Sequence, residues 1–256
     1  MYRVDLNCDL GESFGAYVMG MDDKVIPFIT SANVACGYHA SDPVVMEKTV
    51  ALCKTHGVSI GAHPGFPDLM GFGRRDMRLT PAEAKAYMLY QIGALDAFCR
   101  AADVKLNHVK PHGALYNMAA KDAALSRAIC QAIKEYDPSL VLLALAGSEM
   151  VRTAQEMGLS VAQEVFADRG YEEDGSLISR LKPGAMITDE EEAIARVVRM
   201  VTECKVTAVT GRDVPVQADS VCIHGDGEHA LAFAKRIREA LTSSGVRLMP
   251  LKEMAE

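Results

Sequence analysis

Short apolar, β-branched runs alternate along this chain with longer amphipathic segments. Eight runs have the length and composition of strands, at 3–6, 31–35, 58–61, 106–109, 140–145, 161–165, 206–209 and 221–223. Helix start signals occupy the segments between them: Asp42 precedes Pro43, and Thr80 begins a capping box with Glu83. Strand and helix alternating seven or eight times predicts a parallel sheet covered by helices.

Polar side chains follow the apolar runs from one end of the chain to the other. In a closed barrel of parallel strands, such residues gather at one mouth, whereas an open sheet concentrates its ligand groups near one switch point. The recurrence along the whole chain therefore predicts a single α/β domain over 1–256, a distorted TIM-like (β/α) barrel of seven or eight parallel strands. Three segments at 7–20, 63–79 and 167–187 are long enough to fold over the mouth.

Composition narrows the function classes. Hydrophobic content of 49% and charged content of 24% are ordinary for a globular protein. The net charge of −7, without a run of Lys or Arg, argues against a nucleic-acid partner. No apolar run approaches a membrane span, and the N-terminus lacks the pattern of a signal peptide, so we expect a cytoplasmic protein with no membrane partner. Seven scattered cysteines predict neither a disulfide framework nor a thiolate zinc site.

Four histidines follow predicted strands: His39, His63, His112 and His224. Histidine is the general acid or base available near neutral pH, and it is also the commonest metal ligand. A single histidine in such a place is more often structural. Four at equivalent places in successive units favour a catalytic or metal-binding role for the group.

Carboxylates accompany the histidines at Asp9, Glu12, Asp168 and Asp226. Such groups activate water, orient an imidazole or hold a divalent ion. For Asp9 and Asp226, an Asx turn is an equally good interpretation. Their position beside the histidine turns is what favours function.

Two cations, Lys110 and Arg169, stand where the neighbouring residues predict partial burial. A buried charge needs a partner, so each is a candidate to bind a carboxylate or phosphate of the ligand. For Arg169 an internal salt bridge is an equally good interpretation.

Several common motifs are absent or do not fit. His108 and His112 have a metal-binding spacing, but Pro111 prevents the helix that this spacing needs. The turn at Gly225 resembles a dinucleotide fingerprint, yet it carries acidic residues and lies late in the chain. The chain contains neither a P-loop nor a G-x-S-x-G nucleophile motif.

Six blocks of the chain, at 5–12, 31–39, 61–68, 108–117, 164–171 and 222–230, together resemble the LamB/YcsF family. The resemblance covers nearly the whole chain in the right order. It implies a barrel similar to the glycoside hydrolase/deacetylase superfamily. The family forms the A component of the prokaryotic 5-oxoprolinase. The resemblance therefore also implies the ATP-dependent opening of 5-oxo-L-proline to L-glutamate, carried out together with subunits B and C.

Site roles follow from the residues and the resemblance together. We expect the general base to be Asp9 or one of three histidines, namely His39, His63 and His112. We expect Lys110 and Arg169 to bind carboxylate or phosphoryl oxygens of the substrate, and His224 with Asp226 to form an acid/base or orienting pair. The catalytic candidates are Asp9, His39, His63, Lys110, His112, His224 and Asp226. The substrate-binding candidates are Asn7, Glu12, Lys110, Asp168 and Arg169.

Two other functions stay open at this level. One is a metal-dependent amide or sugar deacetylase, with Asp9, His39 and His63 as ligands of zinc or a similar ion. The other is a non-catalytic subunit that only binds a small carboxylate. The sequence also leaves open whether a divalent metal is bound, and whether ATP binds this chain or its partners.

Overall fold

Seven parallel strands form a closed barrel in the computed structural model, which describes residues 2–180, 182–223 and 228–254, with the backbone alone at 228–230. The strands in chain order are β1 (Arg3–Leu10), β2 (Ser31–Ala35), β3 (Ser59–His63), β4 (Leu106–Val109), β5 (Val141–Leu145), β6 (Val161–Phe166), β7 (Lys205–Thr207), β8 (Asp213–Pro215), β9 (Ser220–Ile223) and β10 (Arg247–Leu248). Strands β1 to β6 pair in order, and β9 joins β6 to β1 and closes the ring. The predicted barrel of parallel strands is confirmed.

Helices cover the outside of the barrel. They are α1 (Asp22–Val25), α2 (Pro43–His56), α3 (Pro81–Ala101), α4 (Gly113–Ala119), α5 (Ala123–Tyr136), α6 (Glu149–Glu156), α7 (Glu190–Glu203), α8 (Glu228–Ser243) and α9 (Leu251–Met254). Asp42 caps α2 by accepting two backbone N–H groups, and Thr80 and Glu83 form the capping box at the start of α3. Within the described residues, none of these helices combines the length and apolar character needed to cross a bilayer.

The predicted strand at 206–209 is not part of the barrel. β7 instead pairs antiparallel with β8 in a small hairpin between α7 and β9. Gly211, at a φ of 84°, lets the chain reverse within a few residues, so the two short strands pair with each other. The barrel has no open edge for them, because β9 already bonds to strands on both of its sides.

Alternation along β1 divides apolar from polar side chains. Val4 and Leu6 belong to the apolar cluster that includes residues of α7 and α8, on the outside of the barrel. Asp5, Asn7 and Asp9 bond to groups on β2 and β9 and to Lys110, the residue after β4, across the interior. Branched apolar side chains usually fill such a barrel. Here the side chains of β1 that point into the barrel, Asp5, Asn7 and Asp9, are all polar, so the interior contains hydrogen-bonding partners for charged groups.

Asp5 forms the lowest layer of this polar row. Its carboxylate accepts hydrogen bonds from the hydroxyls of Thr30 and Ser31, both at 2.6 Å, and from Ser220. Burial raises the pKa of Asp5 from its usual 3.8 to about 6, although the three hydroxyl hydrogen bonds act in the opposite direction. The folded protein therefore binds the Asp5 proton more tightly than the unfolded chain does.

We expect Asp5→Asn to remove a pH-dependent cost of folding. Protonated Asp5 contributes to the free energy of unfolding, and this contribution is complete below about pH 4. It is lost as the pH rises through about 6, which lowers the free energy of unfolding by about 3 kcal/mol. Relative to the wild type, the variant should therefore gain about that amount of unfolding free energy between these pH values. Urea unfolding at a series of pH values measures the difference. The exposed Asp103→Asn is the control, and a parallel pH dependence in all three proteins would contradict the prediction.

Candidate active site

A cavity of about 790 Å³ opens at the carboxyl ends of the barrel strands. Strand-end residues line its inner part, among them Asp9, His63 and Lys110. The segments 63–79 and 167–187, which the sequence predicted to fold over the mouth, supply much of the wall. Four exposed cations stand on this wall: Arg74, Lys121, Arg180 and Lys182. Asp76 and Glu172 also line the cavity, and Lys182 lies 3.7 Å from Glu172, so the rim is basic on balance. The cavity thus combines buried titratable groups with a basic rim, which suits an anionic ligand of small to moderate size.

Lys110 is the central cation of the site. Its Nζ lies 3.0 Å from Asp9 Oδ1 and 2.8 Å from Glu164 Oε1, and only 3% of its side chain is exposed. Burial lowers the pKa of Lys110, but attraction to Asp9 and Glu164 outweighs it and holds the pKa well above its usual value. Lys110 is therefore charged, and it serves as a fixed positive group rather than as a base.

Two members of this network were missed from the sequence. Glu164 is fully buried on β6, and its second carboxylate oxygen accepts a 2.6 Å hydrogen bond from the Tyr116 hydroxyl. Asn33 on β2 donates to Asp9 Oδ1 at 2.9 Å. A glutamate inside an apolar strand was the available signal, since a charge in a buried strand requires a partner.

Three of the predicted histidines come together beside Asp9. His63 Nε2 lies 3.3 Å from Asp9 Oδ2 and 2.9 Å from His112 Nδ1. The ring of His39 stacks on that of His112 with 3.6 Å between centroids. Burial first, and then the neighbouring imidazoles, hold the pKa values of His39 and His112 well below the usual value. Both rings are therefore neutral.

Glu12 meets the same histidines from the loop after β1. One of its carboxylate oxygens lies 3.4 Å from His39 Nε2 and 3.8 Å from His112 Nδ1. One ligand atom from each of Glu12, His39, His63 and His112 lies within 4.8 Å of every other. We call these four residues the histidine cluster.

Asn7 and His108 lie deeper in the barrel than the cavity-lining residues. Asn7 is fully buried and bonds to Ser220 and Asn33. His108 Nε2 lies 2.7 Å from Asn33 Oδ1, and burial lowers the pKa of His108 to about 3. At Gly61, an added Cβ would lie 2.0 Å from His108 Nε2, so this glycine makes room for the ring. Both residues therefore bond to Asn33, which in turn donates to Asp9.

The other predicted site residues have different surroundings. Arg169 lines the cavity, but its guanidinium donates to the backbone carbonyls of Ala185 and Ile178, so it orders the 167–187 segment. Burial lowers the pKa of Arg169 to about 10. Asp168 is not among the described residues that line the cavity. His224 and Asp226 lie outside the described residues.

The chain is similar to known sequences over its full length. It is 62% identical to a Clostridium beijerinckii protein named as the A component of 5-oxoprolinase, covering 99% of this chain and 100% of that protein. A relative of the same name from Alkaliphilus metalliredigens is 58% identical, over 98% of each chain.

Solved structures extend the comparison. A crystal structure of a lactam utilization protein from Thermus thermophilus has a TM-score of 0.91 and 49% identity, covering 96% of this chain and 99% of that one. A family 4 carbohydrate esterase from Streptomyces lividans, at 12% identity and a TM-score of 0.50 over 96% of this chain and 91% of that one, shares the fold alone. The model of the LamB/YcsF family matches residues 4–256. The chain belongs to the LamB/YcsF family.

Proposed function

We propose that this chain is the A component of a 5-oxoprolinase. It would open the lactam ring of 5-oxo-L-proline to L-glutamate, together with subunits B and C and with hydrolysis of ATP. The observation that carries the proposal is the full-length identity of 62% to a relative that bears this name. The geometry supports it, because Asp9, His63 and Lys110 stand together in a cavity with a basic rim.

The cavity suits the substrate in charge and size. 5-Oxo-L-proline carries one carboxylate and one lactam, and the exposed cations on the wall offer partners for the carboxylate. A volume of about 790 Å³ exceeds what so small a molecule needs. The remaining space leaves room for a phosphoryl group or a larger part of ATP. We therefore include in the proposal that ATP binds to this chain.

The chemistry explains why ATP is needed. A lactam is a resonance-stabilised amide, and its carbonyl oxygen is a poor leaving group. Transfer of the γ-phosphoryl group to that oxygen forms an O–P bond and releases ADP. Water then adds to the carbonyl carbon and loses its proton to a base. Cleavage of the C–N bond, with the nitrogen taking up a proton, opens the ring and leaves an acyl phosphate. A second water then attacks the acyl phosphate, phosphate departs, and the amine and carboxylate of glutamate result.

The site assigns separate tasks to its charges. Asp9 lines the cavity with one carboxylate oxygen beside Lys110 and the other beside His63, so it is placed to accept the proton of water. Lys110 stays charged and offers positive potential where the oxyanion develops. Glu164 forms an ion pair with Lys110 and accepts a hydrogen bond from Tyr116, so these contacts hold the ammonium in position.

The deacetylase alternative rests on the histidine cluster, whose residue types could hold a metal ion. Its other support is the carbohydrate esterase, and that likeness extends to the fold alone. The full-length relatives carry the 5-oxoprolinase name, so the deacetylase is the weaker proposal.

Glutamate release from 5-oxo-L-proline tests the proposal directly. We expect release when this chain, subunits B and C and ATP are all present, and background release when any one is left out. The measurement is an enzymatic assay of glutamate with phosphate release followed in parallel. Release by the isolated chain, or without ATP, would contradict the proposed reaction.

Asp9→Asn tests the proposed base. The amide cannot accept the proton of water, so we expect kcat in the reconstituted complex to fall by about 10²-fold or more. Asp103→Asn makes the same chemical change at an exposed position and should leave kcat unaltered. Circular dichroism checks the fold of both variants, and a folded Asp9→Asn protein with full kcat would refute the role.

Lys110→Met separates the structural role of Lys110 from its catalytic role. Removing the cation leaves Asp9 and Glu164 buried without it, which should lower the free energy of unfolding by about 3–5 kcal/mol. The double variant Lys110→Met/Glu164→Gln removes one of the two stranded charges and should recover most of that loss. Denaturant unfolding and kcat are measured for both. Glutamate release should stay low in both variants, and restored release in the double variant would show that Lys110 is not needed for chemistry.

A further inference from the structure

The hydrogen bonds of two buried histidines determine which of their nitrogens carry hydrogen. His63 Nδ1 lies 2.7 Å from the backbone carbonyl oxygen of Lys110, and His112 Nε2 lies 2.9 Å from that of Phe72. A carbonyl oxygen only accepts, so each of these nitrogens donates. When both rings are neutral, the nitrogens left without a hydrogen are His63 Nε2 and His112 Nδ1, and each carries a lone pair.

These two lone-pair nitrogens face each other at 2.9 Å. In that state neither nitrogen has a hydrogen to place between them, and a cation bound by both lone pairs would remove their repulsion. A carboxylate oxygen of Glu12, 3.8 Å from His112 Nδ1, adds further negative charge to the same point. The arrangement is that of a ligand set.

His39 supplies an independent observation. Its side chain is fully buried, and neither ring nitrogen makes a hydrogen bond within the described part of the chain. Buried polar atoms normally have such a partner, so a buried imidazole without one points to a ligand. His39 Nε2 lies 3.4 Å from the same carboxylate of Glu12.

Glycines make room for this packing. An added Cβ at Gly65 would lie 2.7 Å from His39 Nδ1, and one at Gly73 would lie 2.7 Å from His39 Cβ and 2.9 Å from His112 Cδ2. Gly73 also has a φ of 61°, which side chains rarely adopt. The local backbone is therefore shaped around the imidazoles.

We propose that the histidine cluster is a binding site for one divalent transition-metal ion of the zinc type. Three imidazoles and a carboxylate are ligands that such ions prefer. The carbonyls of Lys110 and Phe72 orient His63 and His112 in the way that outer partners orient metal-binding histidines. The metal ligands predicted from the sequence are Asp9, His39 and His63. The proposed site keeps the two histidines and has Glu12 and His112 in place of Asp9.

The site adjoins the cavity, because Glu12, His63 and His112 also line it. An ion there would stand beside the bound substrate. Metal binding by these side chains does not depend on which reaction the cavity performs, so the test measures binding rather than turnover.

The experiment uses the full chain, stripped with a chelator and then loaded with Zn²⁺ or Co²⁺. We expect about one ion per chain after desalting, and a visible Co²⁺ absorption of a four- or five-coordinate site. Elemental analysis gives the stoichiometry, and competition with a chromogenic chelator gives Kd.

Ligand variants locate the ion. Glu12→Gln and His39→Ala should each weaken Zn²⁺ binding by about tenfold or more, and His63→Ala should do the same. His56→Ala removes an exposed histidine from the end of α2 and should bind as the wild type does. Glu12→Gln is nearly isosteric, so it keeps the test valid if a histidine variant fails to fold.

Two results would overturn the site. One is Zn²⁺ affinity unchanged in folded Glu12→Gln and histidine variants. The other is an NMR result: in the metal-free protein, ¹⁵N spectra show a proton shared between His63 and His112, and added Zn²⁺ does not displace that proton. Failure of the proposed function gives a different pattern, in which the metal binds with the expected variant effects while the complex releases no glutamate.

Discussion

The buried contact of Lys110 with Asp9 and Glu164 is the interaction on which the rest of the site depends. Removing an ammonium and two carboxylates from water costs several kcal/mol per ion, which only close pairing and further hydrogen bonds offset. Asn33 and Tyr116 supply those hydrogen bonds from neighbouring elements. The barrel must therefore close with β1, β4 and β6 in one register, because a shift of one residue would turn these charges into the apolar shell.

This requirement explains the polar interior of the barrel. Below the ion pairs, Asn7 and Asp5 continue the same inner row of β1, and each is hydrogen-bonded by side chains from β2 and β9. Above them, the histidine cluster is held by backbone carbonyls from two different loops. The cavity is lined by Asp9 and Lys110 of the ion pairs and by three members of the histidine cluster, whereas Asn7 and Asp5 are not among the residues that line it.

Much of this organisation was predictable from the pattern of residues. The strands at 31–35 and 106–109 have the predicted bounds, and Asp9, His39, His63, Lys110 and His112 come together as strand-end residues should. The strand predicted at 206–209 is present as β7 but lies outside the barrel, because apolar alternation alone does not distinguish a barrel strand from a strand of a short hairpin. Glu164 and Asn33 were missed, since no local pattern shows that a glutamate on β6 and an amide on β2 reach Lys110 and Asp9.

The sequence by itself determined the closed α/β barrel, the family and the residue types at the mouth, because periodicity and strand-end position are local properties of the chain. The tertiary structure decided which side chains meet. It placed Lys110 against two carboxylates and brought one ring nitrogen of His63 to 2.9 Å from one of His112. It also bonded Arg169 to the backbone of the 167–187 segment. These outcomes depend on distances between residues far apart in sequence, and only the packing of the folded chain sets such distances.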